Sequence, residues 1–92
     1  MHNHEKRKIS VVSMMTDGAD LKTEKRAWRR SIPAARAAIL EHRVYLNDRL
    51  VTHTNTSIVS ELGTVYMIKV WSLNDASWDY LEVTDHESIA SI

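Results

Sequence analysis

The sequence predicts an α+β domain in which two short helices pack on a small antiparallel sheet of three to five strands. The chain has 92 residues, which suffices for a single domain with one modest core. It contains only two glycines and one proline, too few for the many special turns of an all-β chain. Hydrophobic residues make up 43% and charged residues 26%, as in ordinary folded domains. Wholesale disorder is therefore not expected.

The N-terminal third contains a polar start, an apolar segment and a helix. Residues 1–8 are polar and basic, and we expect a flexible lead-in there. Residues 9–15 are apolar, and their valines favour a strand, although the period also permits a helix. An Asp-Gly pair at 17–18 indicates a turn. Asp20 can then cap a first helix over about 21–30.

A second helix is predicted from Ser31 to about Glu41. The Ser31 hydroxyl can cap it, and Pro33 stands in its first turn, where the missing N–H costs little. Four of its residues share one face, which we expect to pack inward: Ala35, Ala38, Ile39 and His42.

Strands are predicted after the second helix. Residues 44–46 alternate, Asn47-Asp48 is a turn pair, and 50–51 completes a hairpin. Residues 52–57 are polar, and we interpret them as a loop or a sheet edge.

Two further strands are predicted near the C-terminus. One spans 64–71 after Gly63, and the other spans 78–83 after an Asn-Asp turn at 74–75. The single domain is therefore expected to cover 9–84, followed by an acidic tail over 85–92.

The net charge of zero conceals a polarised chain. Residues 22–49 hold eight basic and three acidic side chains, a local charge of +5. Residues 71–92 hold five acidic side chains and no lysine or arginine. A basic middle and an acidic end give the molecule two opposite surfaces if the fold keeps them apart.

The basic middle indicates a positive helical face that could lie on a phosphate backbone. The alternative is a solvated helix face, with Glu24 and Glu41 offsetting part of the charge. The candidate RNA-binding residues are Lys25, Arg26, Arg29, Arg30, Arg36, Arg43 and Arg49.

The acidic end predicts a different class of function. The chain could be a small protein-binding inhibitor or modulator, of the accessory kind that phages and plasmids encode, directed at a basic protein partner. The acidic segment could also fold back over the basic helices and mask them, or simply keep the surface soluble. The candidate partner-binding residues are Asp75, Asp79, Glu82, Asp85 and Glu87.

Several functional classes are not expected. Without cysteine there is no disulfide framework and no thiolate metal site, and the five histidines form no H-E-x-x-H motif, so no metal or other cofactor is predicted. No G-x-S-x-G elbow or glycine-rich phosphate loop appears, so neither catalysis nor a small-molecule substrate is predicted. With no membrane span or secretory signal, we expect the cytoplasm. Core packing is expected for Trp28, Trp71 and Trp78.

The segment from Ser31 to about Val70 carries an ordered pattern: Ser31, Ala35-Arg36, Ile39 and Val44-Tyr45-Leu46-Asn47. In this register it resembles the RNA-binding domain named for ribosomal protein S-four. That domain recurs in pseudouridine synthases, tyrosyl-tRNA synthetases and a heat-shock ribosome factor. Val51 and the strand from Val65 to Val70 resemble the family's second and third strands.

Together with the basic middle, the resemblance predicts structured RNA as the partner of this chain. It implies binding through the family's first two helices, with side chains and helix N-termini meeting phosphates. It makes Arg36 the helix arginine and places Arg43 beside the basic position before the first strand. The sequence departs from the pattern where the family has glycine, at His42 and Asp48. The family's first helix has no clear counterpart upstream of Ser31.

Overall fold

The computed structural model describes residues 7–16 and 30–85. These residues form two helices and two antiparallel sheets, so the predicted α+β class is confirmed. The helices are α1 (Val11–Thr16) and α2 (Ile32–Leu40). The strands are β1 (Arg7–Ser10), β2 (Val44–Leu46), β3 (Arg49–Leu50), β4 (Ser57–Ser60), β5 (Val65–Ser72) and β6 (Ser77–Thr84). One sheet pairs β1 with β4, and the other has the order β3-β2-β5-β6.

Within the apolar segment 9–15, the chain changes from a strand to a helix. β1 ends at Ser10, whose Oγ accepts a hydrogen bond from the Ser13 N–H at 3.0 Å, and α1 begins at the next residue. A serine in this position caps a helix, because its oxygen satisfies an N–H that has no partner in the first turn. The expected strand is therefore wrong beyond Ser10. The expected lead-in is also too long, since Arg7 and Lys8 belong to β1.

Helix α2 begins as its sequence predicts. The Ala34 N–H donates to Ser31 Oγ at 3.2 Å, and Pro33 lies in the first turn. The buried face comprises Ala35, Ala38 and Ile39. His42 was expected on this face, but it is exposed, because the chain has left the helix at Leu40.

The four-stranded sheet follows the predicted hairpins closely. β2 and β3 join through Asn47 and Asp48, and both residues have positive φ, as a type I′ turn requires. β5 and β6 pair over eight positions, from Val65 with Thr84 to Ser72 with Ser77. The strands predicted at 64–71 and 78–83 are thus confirmed within one residue at each end.

Strand β4 was not predicted. Residues 52–56 form the expected loop, but Ser57 begins a strand that pairs with β1, from Ser10 with Ser57 to Arg7 with Ser60. β1 and β4 are far apart in the sequence, so the short polar segment around β4 gives little indication that the two strands pair.

The core lies between the two helices and one face of the four-stranded sheet, its inner face. Register pairs such as Val44 with Val70 and Ile68 with Leu81 line that face. Buried core residues come from both sides of this interface: Met14, Met15, Ala35, Ala38 and Ile39 from the helices, and Val44, Tyr66, Ile68, Val70, Leu81 and Val83 from the strands.

The folded domain extends one residue beyond its predicted end. Asp85 is buried, its N–H donates to the Thr64 carbonyl at 2.8 Å, and its carbonyl accepts from the Gly63 N–H at 3.0 Å. Asp85 therefore closes the domain and does not begin a tail. The turn expected at 17–18, most of the helix expected over 21–30 and the rest of the tail lie outside the described residues. Neither described helix is long and apolar enough to cross a membrane.

Helix α2 should contribute to stability through its buried face. Ile39→Ala removes a side chain that is fully buried and should cost about 2–5 kcal/mol of unfolding free energy. Leu40→Ala is the matched control: its side chain is 65% exposed, and its loss should cost less than about 0.5 kcal/mol. Urea unfolding followed by circular dichroism measures both. Equal costs would contradict the described orientation of α2.

Candidate nucleic-acid interface

Arg30 joins the basic middle of the chain to its acidic end. Its Nη2 lies 2.8 Å from Asp79 Oδ2, an ion pair with strand β6. Its backbone N–H donates to the Met15 carbonyl at 3.1 Å, at the end of α1. The guanidinium is thus held against the sheet by a carboxylate and does not stand alone on an open surface.

Arg43 has a structural role. Its Nε donates to Glu41 Oε1 at 2.8 Å, and its Nη1 donates to the Trp71 carbonyl at 2.7 Å. The Trp71 N–H in turn donates to the Arg43 carbonyl at 2.9 Å. The side chain is only 18% exposed, so Arg43 fastens the segment after α2 to β5.

Arg30 and Arg43 line one polar cleft at the end of the sheet. Its volume is about 370 Å³. Two carboxylates, Asp75 and Asp79, share the cleft with the two guanidinium groups, so its formal charges balance. The fold therefore does not keep the basic middle and the acidic end apart at these two arginines.

Arg36 and Arg49 are placed differently. Both are exposed, and neither forms an ion pair with another residue in the described part of the chain. Arg36 lies on the exposed side of α2. Arg49 pairs in register with Leu46, which itself pairs with the buried Ile68, so Arg49 lies on the helix-bearing side of the sheet at its β3 edge. The other candidate cations, Lys25, Arg26 and Arg29, lie outside the described residues.

Left-handed backbone occurs at both positions where the sequence departs from the S-four pattern. His42 has a φ of 57° and Asp48 a φ of 68°. At the end of α2, the Arg43 N–H donates to the Ala38 carbonyl and the His42 N–H to the Ile39 carbonyl. This is a Schellman motif, in which the left-handed position usually holds glycine.

The acidic candidates do not form one surface. Asp85 is 2% exposed and accepts from Ser60 Oγ at 2.6 Å, while Ser60 Oγ accepts from Tyr66 Oη at 2.6 Å. Asp85 is therefore a buried structural carboxylate, which corrects its assignment to partner binding. Asp79 is paired with Arg30, as described above. Only Asp75 and Glu82 remain exposed among the described acids of this group, and Glu87 lies outside the described residues.

Two tryptophans expected in the core lie on the opposite face of the sheet. Val70 points inward, so its neighbour Trp71 points outward, and Trp78 is the register partner of Trp71. Both are half-buried. Counting alternate residues from Tyr66 through Val70 would have identified this arrangement. Trp28 lies outside the described residues.

The outer face of the four-stranded sheet therefore carries an aromatic cluster: Tyr45, Trp71 and Trp78. Trp71 and Trp78 meet edge to face with centroids 5.2 Å apart, and Tyr45 and Trp78 do so at 5.6 Å. Lys69 Nζ lies 4.6 Å from the Trp78 centroid and 5.0 Å from that of Tyr45. The lysine thus places a positive charge at the centre of this face.

Within residues 7–16 and 30–85, no three histidine, aspartate or glutamate side chains come together in a way that could hold a metal ion. Comparisons with protein-family models, curated proteins and solved structures found no match to this chain.

The left-handed residue that ends α2 generates a stability prediction. His42→Gly should raise the unfolding free energy by about 0.5–1 kcal/mol, because glycine adopts positive φ without steric cost. His53→Gly is the matched control, since His53 is also exposed but its φ is not positive. That change should lower stability by a similar amount, because it only adds freedom to the unfolded chain. If thermal unfolding showed that both variants raise stability, or that both lower it, the assigned turn would be contradicted.

Proposed function

We propose that this chain is a small non-catalytic protein that binds structured RNA through the helix-bearing side of its sheet. The observation that carries the proposal is the positive φ at His42 and Asp48. At these two positions the resemblance to the S-four RNA-binding domain requires glycine-like backbone, and the sequence lacks glycine. Their conformation supports the resemblance where the sequence alone weakens it.

A second observation also supports the proposal. The family uses two helices, and no counterpart of its first helix could be identified upstream of Ser31 from the sequence. We assign this position to α1, whose Met14 and Met15 share the core with Ala35 and Ile39 of α2. Together the two helices form the layer that would face the RNA.

The proposed contacts divide the basic residues into two groups. Arg36 and Arg49 are exposed on the helix-bearing side, and we assign them to phosphate contacts. Lys25, Arg26 and Arg29 precede α2 in the chain, remain candidates by local charge alone and lie outside the described residues. Arg30 and Arg43 are positioning residues in this proposal, since their guanidinium groups bind Asp79, Glu41 and a backbone carbonyl.

The alternative function, a modulator that binds a basic protein through its acidic end, has less support. Asp79 and Asp85 are engaged within the domain, which leaves Asp75 and Glu82 as the exposed described carboxylates. Masking of the basic residues by the whole acidic segment is also not favoured. β6 is an integral strand of the sheet, and of its carboxylates Asp79 is the one paired with a basic residue, Arg30.

The phosphate contacts can be tested by combining Arg36→Ala with Arg49→Ala. Affinity for an RNA hairpin, measured by fluorescence anisotropy at increasing salt, should fall about tenfold or more at low salt. The slope of log affinity against log salt should decrease by about 1.5, because two phosphate contacts are lost. Lys8→Ala is the control, since Lys8 is an exposed cation on the other sheet and its loss should change the slope little.

An unchanged slope in the double variant would overturn the proposal, provided that both proteins melt at similar temperatures. A pull-down from lysate distinguishes the proposed RNA binding from the protein-binding alternative. A partner that survives nuclease treatment and is lost on Asp75→Asn with Glu82→Gln would support that alternative. An RNA that is lost on nuclease treatment would support the proposal made here.

A further inference from the structure

A shallow depression lies beside the aromatic cluster on the outer face of the sheet. It is lined by Asp48, Met67, Ile68, Lys69 and Tyr80, and its volume is about 240 Å³. Tyr80 is the most exposed ring of this face, at 57%, and it is the register partner of Lys69. The depression thus combines an exposed aromatic ring, a cation and a carboxylate.

We propose that this depression binds an unpaired nucleobase of the same RNA, stacked on Tyr80. The inference deepens the proposed function and rests on it, because it adds single-stranded nucleotides to the structured RNA bound on the opposite side. Sequence-tolerant RNA recognition commonly uses aromatic rings on which splayed-out bases stack.

Tyr80 is the stacking ring because the other rings are already engaged. Trp78 packs edge to face against both Trp71 and Tyr45, and the Lys69 ammonium lies over Trp78 and Tyr45. These contacts hold Lys69, which lines the depression together with Tyr80. The exposed ring of Tyr80 is then available to the ligand.

The charged groups around Tyr80 match the parts of a nucleotide. Lys69 supplies a cation for the phosphate. The Asp48 carboxylate can accept a hydrogen bond from an exocyclic amino group, as carboxylates do with the N4 amino group of cytosine. Glu82, the register partner of Met67, lies on the same face and repels phosphate from its β6 side. The backbone of the bound strand should therefore run past Lys69.

The test uses short single-stranded cytidine and uridine oligonucleotides, labelled and followed by fluorescence anisotropy. Tyr80→Ala should weaken cytidine binding by about fivefold to a hundredfold, and Tyr80→Phe by no more than about twofold, because the ring remains. Val59→Ala is the control, since Val59 is an exposed apolar residue on the two-stranded sheet. It should bind as the wild type does.

Base preference tests the role assigned to Asp48. The wild type should prefer cytidine to uridine, because uracil presents an acceptor where cytosine presents an amino group. Asp48→Asn should remove this preference, because an amide can both donate and accept. Asparagine tolerates the left-handed backbone of this position, so the fold should persist.

Three results would overturn the inference. One is that the Tyr80→Ala variant binds both oligonucleotides with the same affinity as the wild type. Another is a wild-type dimer that dissociates on Tyr80→Ala in sedimentation, which would assign this face to a second copy of the chain. The third is a nuclease-resistant protein partner that depends on Tyr80.

The two proposals fail separately. If hairpin binding depends on Arg36 and Arg49 while single-strand binding does not depend on Tyr80, the inference about the outer face is wrong and the proposed function stands. If the hairpin is not bound while single-strand binding depends on Tyr80, the helix-side interface is wrong and the outer site stands.

Discussion

The domain depends on how α2 ends. Three residues, Glu41 to Arg43, must turn the chain from the helix into β2, and they do so through a left-handed His42 and two hydrogen bonds back to the last turn of the helix. Arg43 then fixes the exit by bonding β5 through both its backbone and its guanidinium group. Because of this turn, the apolar face of α2 lies over the inner face of the sheet that β2 enters. The exposed side of α2 faces solvent with Arg36.

The same geometry explains why some of the described arginines of the basic middle are not open to solvent. A charge placed next to a tight helix-to-strand junction finds backbone carbonyls and carboxylates within reach, and a partly buried guanidinium is stabilised by such partners. Arg43 lies at that junction, Arg30 lines the same cleft as Arg43, and both are bound within the domain. Arg36 and Arg49 are exposed, so local charge alone overestimates the interface.

The sequence was informative where the signals are local. The Ser31 cap, the proline in the first turn of α2, the hairpin at Asn47-Asp48 and the alternation of β5 and β6 depend on neighbouring residues, and these elements were predicted nearly to their ends. The sequence was uninformative where contacts between distant segments determine the structure. The pairing of β1 with β4, the burial of Asp85 through Ser60 and the pairing of Arg30 with Asp79 have no local pattern. The prediction that Trp71 and Trp78 pack in the core was wrong, although strand alternation already indicates that they lie on the outer face of the sheet.

Both limits of the described domain meet at Ser60. Arg7 is its register partner at the start of β1, and Asp85 accepts its hydroxyl hydrogen bond at the other limit of the described domain. Chain ends that lie close together are the condition for circular permutation. A short linker between the two limits, with new termini opened in the loop 52–56, would therefore keep every strand pairing while placing β4, β5 and β6 before β1, β2 and β3 in the chain.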